Sequence, residues 1–201
     1  MNPPAFTLRT PGPADAAALA DLHIETWRET YGQQMPAAAF GERARQSRLD
    51  MWQDMLDLPG QVGTLRVAEV EGELVGFAGA APSTDGDAAH RLELRMLYVR
   101  AAFHGTGAGQ QLLDSVIGDK SAFLWVAKDN PRARRFYVRN GFIADGGERL
   151  EQGSAAGLVA VRLVRQAPTP HQHDRAEHGP GVATRYDPVD PPPGPSPSVK
   201  P

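Results

Sequence analysis

The amino-acid sequence predicts an α/β fold in which a mixed sheet is layered against helices. Three observations carry that reading. Stretches of alternating apolar and polar residues stand beside stretches with a helical apolar repeat. A Glu-Gly dipeptide joins two of the alternating stretches into a hairpin. The second half of the chain then runs strand, helix, strand, helix and closes with two further strands.

At the N-terminal end, "FTLRT" alternates and reads as a short strand. Pro13 sits where a first helical turn accepts proline, and "ADAAALADLHIETWRETYG" continues as a helix to Gly32. His23, Trp27 and Tyr31 are four residues apart and share one face of it. "AFGERARQSRLDMWQDML" predicts a second helix, ended before Pro59 and Gly60. "TLRVAEV" and "ELVGFAGAAP" are the hairpin strands, and "STDGDAAH" is a solvated loop leading to the strand "HRLELRMLYV". "GAGQQLLDSVIGD" is a helix, "SAFLWVAKD" a strand, and "NPRARRFYVRN" a helix opened by Asn130 and Pro131. "FIADGGERL" and "LVAVRLVR" are the last two strands. Trp52 and Trp125 are expected in the core.

The bulk properties narrow the function classes. The 201 residues suffice for a real hydrophobic core. The fractions of 41% apolar and 22% charged residues are those of an ordinary globular protein. A formal net charge of -3 argues against a general nucleic-acid binder. The chain has no cysteine, so disulfides, a thiolate nucleophile and Cys-bound zinc are excluded, which fits a reducing cytoplasm. "MNPPAFTLRT" has no signal-peptide character, and no apolar run approaches membrane-spanning length. A cytoplasmic location with no membrane or nucleic-acid partner is expected.

Composition changes after Arg165. Ten of the last 36 residues are proline and aliphatic residues nearly vanish. Residues 1–165 are read as the folded domain and 166–201 as a Pro-rich disordered tail, unable to bury enough apolar surface to offset its ordering entropy. His171, His173 and His178 fall in that tail. With no rigid frame to hold the imidazoles they read as solvated, and no metal site is expected.

The chemistry concentrates in "FHGTGAGQQLLDSV". Gly105, Gly107 and Gly109 stand at the mouth of a helix, where unpaired amides and the positive end of the helix dipole favour phosphate. Glycine lets a ligand approach those amides. The loop lacks the Lys-Ser or Lys-Thr of a P-loop, and its third glycine comes one residue too early for a dinucleotide fingerprint. On its own, the loop leaves a nucleotide site and a plain helix start both open.

A second motif extends the reading. "LYVRAAFHGTGAG" followed by "DNPRARRFYVRNGF" resembles the GCN5-related N-acetyltransferase (GNAT) superfamily. His104-Gly105-Thr106-Gly107-Ala108-Gly109 fits that family's acetyl-CoA loop, except that His104 replaces Gln or Arg. Asn130, Ala133, Phe136, Tyr137, Gly141 and Phe142 match its next strand–helix unit in register, and "LHIETWRETYG" is similar to the first helix of one branch. The resemblance covers residues 6–165 and implies a mixed, largely antiparallel central sheet flanked by helices.

What the resemblance implies is specific. Leu97, Tyr98 and Val99 would bond the pantetheine arm of acetyl-CoA through a bulged strand. His104, Gly105, Thr106, Gly107, Ala108, Gly109 and Gln110 would hold the pyrophosphate, mainly by backbone amides. For His104 a hydrogen bond to phosphate and a surface turn both stand; for Asn130, cofactor contact and a helix cap both stand. Tyr137 would be the general acid for the departing thiolate, against a packing role. Glu93, four residues before Leu97 and read on the same strand face, is the candidate base, working through water; a surface carboxylate or a partner for Arg91 or Arg95 is its other reading. An amide of the bulged strand would stabilise the tetrahedral oxyanion. His23, Trp27 and Tyr31 would wall the acceptor pocket, against packing on the sheet. The implied reaction is N-acetylation of an amine, on a small molecule or a protein, by direct attack on acetyl-CoA without metal. A non-catalytic acyl-CoA sensor or scaffold is the alternative. Homodimers occur among relatives.

Overall fold

Residues 5–57, 63–83, 92–151 and 157–167 are described by the structure, a computed structural model. Most of the loop "STDGDAAH", Arg91 and the tail histidines lie outside the described residues. The strands are β1 (Thr7–Arg9), β2 (Thr64–Val70), β3 (Glu73–Pro82), β4 (Leu92–Val99), β5 (Ala122–Ala127), β6 (Ile143–Leu150) and β7 (Val159–Arg165). The helices are α1 (Ala16–Tyr31), α2 (Glu42–Asp57), α3 (Ala108–Ile117) and α4 (Pro131–Arg139).

Local chemistry sets several boundaries. A single 3₁₀ turn over Pro13–Asp15 leads into α1. Asp15 steadies that turn: its carboxylate accepts from the Gly12 amide at 2.8 Å and from Arg9 at 2.7 and 2.8 Å. α2 begins three residues later than its sequence pattern predicts. A separate 3₁₀ turn over Ala37–Phe40 intervenes, and Gly41 is extended, which breaks the helical run. Between β2 and β3, Glu71 and Gly72 both take positive φ, the geometry of a two-residue hairpin turn.

The seven strands form one sheet in the order β1-β2-β3-β4-β5-β7-β6. Every neighbouring pair is antiparallel except β4 and β5. The sheet is therefore mixed and largely antiparallel, as expected. On one face, Leu112, Leu113, Val116 and Ile117 of α3 and Tyr137 of α4 pack over Val75, Ala78, Leu94 and Leu124. The other face is covered by α1 and α2, with Leu19, Ala20, Trp52 and Leu56 against Val67 and Phe77. Trp52 is fully buried, so truncating it to alanine costs about 3–5 kcal/mol.

The parallel pair interrupts the sheet at its centre. β4 and β5 pair only at Glu93 with Phe123 and Leu94 with Leu124. Beyond those residues the two strands diverge, while β5 remains paired to β7 along its whole length. A wedge opens in the middle of the sheet, walled by the facing edges of β4 and β5.

Candidate functional site

The wedge is the floor of a cavity of about 570 Å³. Leu94 to Val99 of β4 form one wall and Trp125 to Ala127 of β5 the other. His104, Gly105, Gly107, Gly109 and Gln110 close one end, and α4 contributes Arg132, Ala133, Arg135, Phe136, Tyr137 and Arg139. Thr26, Thr30 and Tyr31 of α1 and Asn130 complete the lining.

β4 carries a bulge. Met96 lies opposite Gly79 and Leu94 opposite Ala80, which leaves Arg95 as the extra residue. The bulge switches the strand's alternation. Leu92, Leu94, Leu97 and Val99 face the α3–α4 layer, whereas Met96 and Tyr98 face α1 and α2. Glu93 alternates with Leu92 and Leu94, so it lies on the face opposite Leu97. This corrects the expectation of a shared face: a simple period of two fails wherever a residue is inserted. Glu93 is absent from the cavity lining and accepts from Arg95 at 3.3 Å, one of the partners considered from sequence.

The glycine loop has the geometry of an anion cradle. Gly105 and Gly107 take φ of +79° and +97°, a region that other residues enter only with strain. The amides of residues 105 to 110 have no acceptor among the described residues. α3 has Gly107 at its N-cap position with no side-chain cap, so its first amides are left unopposed. Not every loop residue faces the cavity. Thr106 turns its hydroxyl back to the Phe103 carbonyl at 2.7 Å, and the Ala108 side chain is fully buried. Both contribute amides rather than side chains. Glu29 of α1 ties the loop's approach down, accepting from the Ala101 amide at 2.8 Å and Arg100 at 3.0 Å.

His104 Nε2 lies 2.9 Å from the Val99 carbonyl, and Arg132 of α4 lies against the same ring. With the proton on Nε2 the ring donates to Val99 and leaves Nδ1 to accept from the guanidinium. His104 thereby positions Arg132 beside the loop. Asn130 caps α4, its Oδ1 accepting from the Ala133 amide at 3.0 Å, and it also lines the cavity. Its side chain is hydrogen-bonded to Tyr31, whose phenol burial nevertheless holds above its ordinary pKa.

Tyr137 is buried in α4 between Phe136 and Phe142, yet it reaches the cavity. Burial raises its pKa well above that of a free phenol, so it remains protonated at neutral pH. Of the three aromatic residues expected to wall an acceptor pocket, only Tyr31 lines the cavity. His23 sits inside the second core, with Trp27, Trp52, Phe77 and Tyr98 around its ring at 5.3 to 6.1 Å. Trp27 is also absent from the lining, and Arg48 stacks over it at 4.8 Å. The shared helix face is real, but it packs on the sheet along most of its length. Trp125 departs from expectation the other way. It is half-buried, lines the cavity and carries Arg149 over its ring at 4.3 Å.

Sequence reasoning missed the arginines. Arg95, Arg132, Arg135 and Arg139 line the cavity and no Asp or Glu does so among the described residues. On a chain of net charge -3 this is a local segregation of positive charge suited to a polyanion. The signal was present: Arg132, Arg135 and Arg139 recur at helical spacing in "NPRARRFYVRN".

Comparison with known proteins agrees with this geometry. The family model described as "Acetyltransferase (GNAT) family" matches residues 17–142. An uncharacterized N-acetyltransferase of Mycobacterium tuberculosis is 33% identical over 93 residues, which cover 43% of this chain and 57% of that protein. The match thus spans little more than half of the mycobacterial relative. YuaI of Bacillus subtilis, also an uncharacterized N-acetyltransferase, is 25% identical over 62% of this chain and 73% of its own. Among solved structures, the PaiA N-acetyltransferase of Thermoplasma acidophilum in complex with coenzyme A superposes with a TM-score of 0.61 at 17% identity. That superposition covers 81% of this chain and 99% of the other, and at such identity it speaks for the fold.

Proposed function

The chain belongs to the acetyltransferase (GNAT) family, and on that premise we propose that it transfers an acetyl group from acetyl-CoA to an amine. The observation that carries the reading is the juxtaposition of two unsatisfied surfaces. The six amides of residues 105 to 110, without acceptors among the described residues, sit at the start of α3, and they share one cavity with the wedge of unpaired strand edge. A ligand with a diphosphate at one end and an amide-bearing arm at the other satisfies both. CoA has that chemistry. Its pyrophosphate fits the amides of residues 105 to 110, with Arg132 alongside. Its pantetheine arm fits the backbone of Leu97 to Val99 as an added strand.

In this reading Tyr137 is the general acid. The neutral amine nitrogen attacks the thioester carbonyl, the carbon–sulfur bond breaks, the sulfur takes the phenolic proton, and the nitrogen of the new amide releases its surplus proton to water, which returns a proton to Tyr137. Burial makes Tyr137 a weaker acid than a free phenol. The thiolate forms in the same desolvated cavity and is a stronger base there for the same reason, so the transfer stays matched. The amine must lose a proton first, since an alkyl ammonium has a pKa near 10. Glu93 takes that proton through water, consistent with its place behind the bulge rather than on the cavity wall. The acceptor enters between α1 and β5, where Tyr31 and Trp125 line the cavity.

The test is release of free thiol from acetyl-CoA in the presence of a panel of primary amines, run beside calorimetry with CoA. Tight binding with amine-dependent release is the expected result. Binding without release by any amine would identify a sensor module instead, and no binding would remove the reading.

A further inference from the structure

The pyrophosphate cradle leaves part of the cavity's positive charge without a task. Arg132 is engaged with His104, and Arg95 donates to Glu93 and to the Pro82 carbonyl at 3.1 Å. Arg135 and Arg139 have no hydrogen-bond or carboxylate partner among the described residues, yet both line the cavity. Four residues apart on α4, they stand one above the other on one helix face, about 6 Å apart along the axis.

Their position relative to the cradle is fixed by two contacts. Gln110, in the first turn of α3, donates to the Asn140 side chain at the end of α4 across 2.8 Å. Gly109 lies so close to α4 that a Cβ there would sit 3.7 Å from the Phe136 ring. The outer turn of α4 therefore flanks the amides that would hold a diphosphate. If the pantetheine arm runs inward between β4 and β5, the nucleotide leaves the cradle on the outward side. CoA carries a third phosphate there, on the ribose 3′ oxygen. It is a dianionic monoester that an isolated pair of guanidinium groups matches in charge and donor geometry.

We propose that Arg135 and Arg139 form a subsite for the ribose 3′-phosphate, so that the protein selects CoA over 3′-dephospho-CoA. The proposal rests on the CoA reading above and adds a specificity to it. Nothing in the acetyl-transfer chemistry requires the 3′-phosphate, so the selectivity comes from binding alone.

The experiment is calorimetric titration of the full chain with CoA and with 3′-dephospho-CoA at one fixed ionic strength, because exposed charges are screened by salt. The proteins are wild type, the double variant Arg135→Gln/Arg139→Gln and the control Arg134→Gln. Arg134 is exposed on the same helix but absent from the cavity lining. The expected result is that wild type and the control bind CoA about tenfold tighter than 3′-dephospho-CoA. The double variant should bind 3′-dephospho-CoA as wild type does and bind CoA no better than that. Equal affinity of wild type for the two ligands overturns the proposal and leaves the CoA reading intact. So does a selectivity that survives in the double variant. Failure of wild type to bind either ligand removes the CoA reading itself.

Discussion

Gln110 Nε2 and Asn140 Oδ1 meet at 2.8 Å and join the first turn of α3 to the end of α4. One helix presents the proposed diphosphate cradle and the other carries Tyr137, so this bond sets the spacing between phosphate site and acid. Asn140 also donates to the Phe136 carbonyl at 3.0 Å, closing the last turn of α4. Asn140→Ala removes both bonds and is expected to lower stability by about 1–2 kcal/mol. Gln110→Ala removes the link together with the bond from Gln110 to the Asp114 carboxylate at 2.9 Å, both exposed, and should cost about 1 kcal/mol. Urea denaturation of the two single variants and the double variant measures this. A double variant as unstable as the two singles summed would show that no coupling exists.

The loop glycines are not equivalent. Gly107 has φ +97°, whereas Gly109 lies inside α3 and its added Cβ would make only ordinary contact with Phe136. Gly107→Ala is therefore expected to lose about 1–2 kcal/mol to backbone strain. Part of that loss should appear as weaker CoA binding. Gly109→Ala should fold and bind nearly as wild type. Thermal melts with and without CoA separate the two, and the reverse ranking would refute the loop geometry.

Tyr137→Phe keeps the packing against Phe136 and Phe142 and removes only the phenolic proton. A positioned general acid contributes on the order of 10²-fold or more. Because a thiolate is already a fair leaving group, kcat is expected to fall by about 10²-fold, the low end of that range. CoA affinity should not change. Glu93→Gln should instead steepen the pH dependence, requiring more alkaline conditions for the amine to lose its proton. An unchanged kcat in Tyr137→Phe at saturating substrate would remove the acid assignment.

His23 gives the fold a pH dependence. Burial, and secondarily the Arg48 cation, lower its pKa from 6.5 to about 3. Between these values the unfolded chain binds a proton that the folded chain refuses. This contribution is complete above about pH 6.5 and declines as pH falls toward 3, with a slope of up to about 1.4 kcal/mol per pH unit. His23→Leu should flatten that slope. Denaturation at pH 7.5, 6 and 5 tests it, and identical slopes in the two proteins would refute it.

Much of the fold was legible because its signals are local. The bounds of β2 and β3 come directly from alternation and the Glu71-Gly72 turn, and α4 begins where Asn130 and Pro131 say it should. The late start of α2 was not legible, since Gly41 sits inside an otherwise helical pattern. The loop and Tyr137 were found from sequence because each motif is contiguous. The α1 side of the cavity was not: His23 and Trp27 share a face with Tyr31, and only packing shows that the first two are covered.

Sequence by itself determined the family, the order of elements and the glycine loop, because short-range backbone preferences and contiguous motifs encode all three. Three things were decided by tertiary structure: the divergence of β5 from β4, the face on which Glu93 lies, and the lack of a partner for Arg135 and Arg139 among the described residues. Each depends on which distant segment comes to lie alongside. A bulge at Arg95 reverses a strand's alternation without changing its composition, and whether an arginine has a carboxylate beside it is a property of packing that residue spacing does not specify.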